Sequence, residues 1–60
     1  MIGNDLKEWR RRWGLSQAAL AKRLGVIRLT VTRWESGARP IPSFLPLALK
    51  GLEAELEEEE

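Results

Sequence analysis

The sequence predicts an all-α fold, with one domain over residues 1–60 built from four short helices at about 4–13, 16–24, 28–35 and 43–57. Three observations lead there. Apolar residues recur at helical spacing, as Leu6, Trp9 and Trp13 near the start and as Leu45, Leu49, Leu52 and Leu56 near the end. Gly14, Gly25 and Gly37 each follow such a segment, where a left-handed residue stops a helix. Finally, a lone strand among helices would have no partner for its backbone N–H and C=O groups.

The elements follow in order. Asn4 is expected to cap the first helix, with Asp5 in the first turn where the helix dipole favours an acid. Arg10, Arg11 and Arg12 occupy its last turn, ahead of Gly14. Ser16 caps the second helix, and Leu15 before the cap can meet Leu20 inside it as a hydrophobic staple. Leu20, Ala21 and Leu24 should face inward, with Gly25 as the stop.

The next stretch, VIRLTVTRWE at residues 26–35, alternates like a strand: Ile27, Leu29 and Val31 against Arg28, Thr30 and Thr32. As a helix from Arg28 it would turn Val31 and Trp34 inward. Val26 would then staple to Val31 at the spacing of Leu15 and Leu20. That repeated device selects the helix, which Glu35, Ser36 and Gly37 end. Ile27 at its cap position is a defect costing about 1 kcal/mol, because its side chain cannot accept an N–H bond. GARPIP is a loop stiffened by Pro40 and Pro42. Ser43 is expected to cap the fourth helix, with Pro46 in the first turn, where a missing N–H costs little. Gly51 weakens the middle of that helix. The closing glutamates oppose its dipole, so the end at about 57–60 should fray.

Composition narrows the function. A chain of this length buries only about 60% of its unfolded surface, so its core is marginal. There is no cysteine and no histidine, which excludes disulfides and thiolate metal sites and argues against zinc or histidine-based catalysis. No cofactor, metal or small-molecule ligand is expected, and no catalytic constellation is present, so the chain reads as a non-enzyme. With no signal peptide and no membrane-length apolar run, a cytoplasmic protein without a membrane partner is expected. The charges divide sharply. Residues 1–50 hold all ten Lys and Arg against Asp5, Glu8 and Glu35, a net +7, while residues 51–60 hold six Glu and no base, a net −6. A basic body suits a polyanion, and the acidic end opposes it or keeps the chain soluble.

Two short helices joined by LGVI, the second carrying Arg28, Thr32 and Arg33 outward, match a helix-turn-helix. GLSQAALAKRLGV followed by TVTRWESGARPIP resembles the phage-repressor and xenobiotic-response-element (Cro/C1-type) helix-turn-helix DNA-binding domains, over roughly residues 4–50. Ser16, Gln17, Leu20, Ala21, Leu24, Gly25, Val31, Trp34, Glu35 and Gly37 fall in the family's register. Ile27 and Leu29 depart from it, since polar residues are usual there, and the chain stops after the fourth helix where many members have a fifth.

The resemblance implies double-stranded DNA as partner and assigns roles. Gln17 would contact a phosphate through its backbone N–H and side chain at the start of the second helix. Arg28 would reach base edges, pairing with guanine O6 and N7. Thr32 and Arg33, one turn on, would meet a base or a phosphate, and Arg39 with the loop N–H groups after it would meet the backbone. Lys22 and Arg23 would add general positive charge. Arg10 and Glu35 would form a structural ion pair between the first and third helices.

Ile27 and Leu29 keep three readings: contact with thymine methyl groups, a protein-binding surface, or a strand pairing with another chain. A transcriptional regulator bound as a dimer to a palindrome is the leading expectation. The alternative is a protein-interaction or self-assembling domain on the same fold, and an engineered origin would account for the two apolar residues. Leu52 and Leu56 are expected beyond the body of the domain, as the contact of a weak homodimer.

Overall fold

Four helices and no strand make up residues 1–59, the part of the chain that the computed structural model describes: α1 (Gly3–Arg12), α2 (Gln17–Leu24), α3 (Arg28–Ser36) and α4 (Leu45–Glu58). The segment that alternates like a strand is helix α3. Val31 and Trp34 are buried on its inner side, while Ile27 and Leu29, which a strand would place on the same face as Val31, are 67% and 46% exposed. Strand pairing through this segment is therefore ruled out. A helix satisfies its own backbone, and the core it covers needs an i, i+3 pair rather than alternation.

Ser16 caps α2 as expected, its Oγ accepting the Ala19 N–H at 3.0 Å. Gly14, Gly25 and Gly37 all have positive φ, at 68°, 76° and 84°, and stop the helices they follow. Two expected caps are corrected. Asn4 lies inside α1 and reaches Glu8, while Ile2 holds the cap position and its N–H donates to the Asp5 carboxylate at 3.0 Å. The helix starts early because Gly3 packs directly on the end of α3. A Cβ there would stand 2.4 Å from the Glu35 carbonyl oxygen and 2.6 Å from that of Trp34. Only glycine allows that approach, which sets the positive end of α1 against the negative end of α3. Ser43 does not cap α4 either: Phe44 occupies the cap position in a helical conformation, and Pro42 O accepts the Leu45 N–H at 3.1 Å.

The core joins Leu6 and Trp9 of α1, Leu20 and Ala21 of α2, Val31 and Trp34 of α3, and Leu45, Leu49, Leu52 and Leu56 of α4. The last two correct the expectation of an exposed dimer contact, since Leu52 is only 4% exposed and Leu56 only 9%. Instead of running clear of the body, α4 lies back along it. Trp9 Nε1 donates to Glu53 at 2.8 Å, and the Arg23 guanidinium pairs with Glu59. A 14-residue helix is about 21 Å long, well within the 33 Å length of the molecule, so both turns find cover. The fraying expected at about 57–60 falls partly outside the described residues, at Glu60. As far as Glu59, the acidic end has a cationic partner on α2 that the expectation did not include.

Candidate nucleic-acid interface

The turn between α2 and α3 is three residues, Gly25–Ile27. Gly25 takes the left-handed conformation, and Val26 N–H returns to Ala21 O at 3.0 Å, tying the turn to the helix it leaves. With Leu20 and Ala21 of α2 buried against Val31 and Trp34 of α3, the two helices form one rigid unit.

Burial of Val31 and Trp34 decides which side of α3 is presented. Arg28, Leu29, Arg33 and Ser36 are exposed, Thr32 is half-buried between them, and Ile27 stands at the N-terminal edge. Positions 28, 29, 32, 33 and 36 share one face at helical spacing. The structure thus brings five expected contact residues together: Ile27, Arg28, Leu29, Thr32 and Arg33. Arg39 follows on the exposed loop, which folds back so that its N–H donates to Arg33 O at 3.2 Å. Among the described residues, no carboxylate forms an ion pair with Arg28, Arg33 or Arg39. Two glutamates of the acidic end are engaged elsewhere, Glu53 with Trp9 and Glu59 with Arg23. Arg23 is thereby matched by Glu59, whose hydrogen bonds hold the arginine above its usual range, and its charge is less available to a polyanion.

Behind this face lies the ion pair that the resemblance implied. Arg10 grips Glu35 with two parallel bonds, Nε to Oε2 at 2.8 Å and Nη2 to Oε1 at 3.0 Å, and Nη1 donates to Leu15 O at 2.9 Å. Burial pushes the Glu35 carboxyl up, but hydrogen bonds from Arg10 and Gln17, with the charges of Arg10 and Lys7, outweigh it and leave the group below the usual carboxylate range. Its hydrogen bonds to Glu35, opposed by burial, raise Arg10.

Gln17 extends the network. Its Nε2 donates to Glu35 Oε1 at 3.2 Å, and its Oε1 accepts from Thr32 Oγ1 at 2.8 Å, with Arg28 O a second acceptor for that hydroxyl at 3.2 Å. One chain of bonds thus runs from α1 through the start of α2 to the exposed face of α3. Both amide atoms of Gln17 are engaged inside the protein, which leaves its backbone N–H at the head of α2 as the group best placed for an anion. Spacing along the chain carries no sign of this link, which exists only once α2 and α3 are packed. Gly3 and the Trp9–Glu53 bond escaped the sequence for the same reason.

The Ile27 cap defect is present: the side chain makes no capping bond and is mostly exposed. Ile27→Ser should therefore raise the stability of the isolated domain by about 1 kcal/mol. Urea denaturation checks this, and a midpoint that falls instead would show that Ile27 is covered in solution.

A four-helix core, a three-residue turn between α2 and α3, and an outward cationic face on the second helix of that pair define a helix-turn-helix, an architecture that binds DNA. Comparison with protein families matches the helix-turn-helix domain over residues 2–60, and the chain belongs to that family. No curated protein and no solved structure gives a match. Among the described residues, no helix is long and apolar enough to cross a membrane.

Proposed function

We propose that this chain reads double-stranded DNA sequence in the manner of the phage-repressor class, with α3 in the major groove, and that it regulates transcription as a dimer on a two-fold-symmetric operator. The observation that carries the reading is the exposed face of α3, where Arg28 and Arg33 stand without an acidic partner among the described residues, backed by the bond network through Gln17. Arg28, in the first turn of α3, is the base reader, pairing with guanine. Ile27 and Leu29 beside it suit thymine methyl groups. Arg33, Arg39 and the backbone N–H of Gln17 hold phosphates, which fixes the register of the helix in the groove. Thr32, held by Gln17, meets a base or phosphate by turning its hydroxyl. The role is one of binding rather than catalysis.

A second reading is favoured by one observation, the exposure of Ile27 and Leu29 at 67% and 46%: the same face docks a protein through apolar contacts. Salt separates the two readings. Affinity that rests on several phosphates falls steeply with ionic strength, whereas an apolar interface holds. Selection from a random duplex library at two salt concentrations is the direct test, and a failure to enrich any sequence at either would reject sequence-specific binding. With the selected site in hand, Arg28→Ala should cost about 1–3 kcal/mol and relax preference at one base position. Arg39→Ala should weaken all sequences alike and reduce the salt slope by about one phosphate. Equal, sequence-blind losses in both variants would overturn the role given to Arg28.

A further inference from the structure

With Leu52 and Leu56 turned into the core, the opposite side of α4 becomes the notable surface. Leu47 is 74% exposed and Phe44, at the head of the helix, 65% exposed, the former more than any other large apolar side chain on the described surface. Gly51 and Ala54 continue the same stripe at i+4 and i+7 from Leu47, both exposed. Gly51 has no explanation within the chain. Its φ is not positive, and a Cβ there would meet nothing within 4 Å. Mid-helix glycine is destabilising relative to alanine, so an isolated domain loses stability for no internal return.

We infer that this face of α4 is the contact between two copies of the chain, packed antiparallel across a two-fold axis. The stripe is self-complementary only in that direction. Its first half is large (Phe44, Leu47) and its second half small (Gly51, Ala54), so reversing the partner sets Leu47 over the partner's Gly51 and Phe44 over the partner's Ala54. The glycine then lets a leucine approach the helix backbone closely. Charge selects the same direction. A parallel pair would stack the glutamates at 55, 57 and 58 on their copies. The antiparallel pair carries them past the N-terminal end of the partner's α4, the positive end of its helix dipole. The stripe is short, so the dimer is weak, with a dissociation constant that is roughly micromolar or higher.

The inference deepens the dimeric part of the proposed function and stands apart from its DNA part, because self-association is measured without DNA. Sedimentation equilibrium of the full chain should show a monomer–dimer equilibrium. Gly51→Ala should move two readouts in opposite directions: the thermal midpoint at high dilution rises, while the dissociation constant increases about tenfold or more. Leu47→Lys should abolish the dimer with the helical content unchanged. A wild-type chain that stays monomeric at millimolar concentration overturns the inference, as does a Gly51→Ala variant that dimerises as well as wild type. A dimer that survives both substitutions would place the contact elsewhere.

Discussion

Leu52→Lys is expected to unfold the domain. The side chain it replaces is 4% exposed, among the leucines of α4 that close the core over α1 and α2. Losing that burial costs about 1.5–3 kcal/mol. The ammonium must then either be desolvated or drag the second half of α4 away from the body, exposing Leu56 and breaking the Trp9–Glu53 bond. A core this small supplies only about 3–5 kcal/mol in total, so the loss is of the same size as the whole stability. Circular dichroism at 25 °C (about room temperature, where stability is near its ordinary maximum) should show a largely unfolded monomer. Leu47→Lys, on the same helix but facing out, is the control and should keep its helical signal. If Leu52→Lys melts where wild type does, the second half of α4 does not pack as described, and an exposed Leu52–Leu56 contact returns to consideration.

Removing Arg10 is the second large effect. Arg10→Ala leaves the Glu35 carboxylate nearly buried with Gln17 as its remaining side-chain donor, and strips Leu15 O of its guanidinium bond. Breaking one half of a buried pair costs about 3–5 kcal/mol, much of it from the stranded charge, and the partial exposure of this pair points to the lower figure. Replacing both partners by apolar residues, as in Arg10→Met with Glu35→Leu, should recover a good part of the loss, because no charge is then stranded. Equal destabilisation in the single and double variants would refute that account.

The same pair sets an acid limit. Glu35 titrates below the ordinary glutamate value of about 4.3. Its contribution is therefore fully present above that value and is lost as pH falls through the lower folded one. Arg10, shifted upward, stays charged throughout and adds no slope in this range. Urea midpoints should fall on acidification in wild type and fall less in Glu35→Gln.

By itself the sequence determined what is local in this protein. Ser16 and the glycines at 14, 25 and 37 act within a few residues of themselves, so the limits of α2 and the ends of α1 and α3 were legible. Val31 and Trp34, spaced as a helix requires, told which way α3 turns and hence that Arg28 and Arg33 point out. The Arg10–Glu35 pair was legible only through resemblance, since nothing in a separation of 25 residues implies contact. Tertiary structure alone decided the rest. A helical stripe says which residues share a face but not what covers it, so the leucines at 52 and 56 read as a dimer contact, whereas the folded chain buries them in its own core, with α4 tied to α1 by Trp9–Glu53 and to α2 by Arg23–Glu59. Gly3 gave no signal in the sequence because the Glu35 carbonyl that crowds it is far along the chain. Gln17 read as a phosphate contact through its side chain as well as its backbone, because the partners that engage the side chain, Thr32 and Glu35, arrive only when the helices pack. Periodicity and capping are short-range effects written into neighbouring residues, whereas the choice among possible coverings is made by the packed whole.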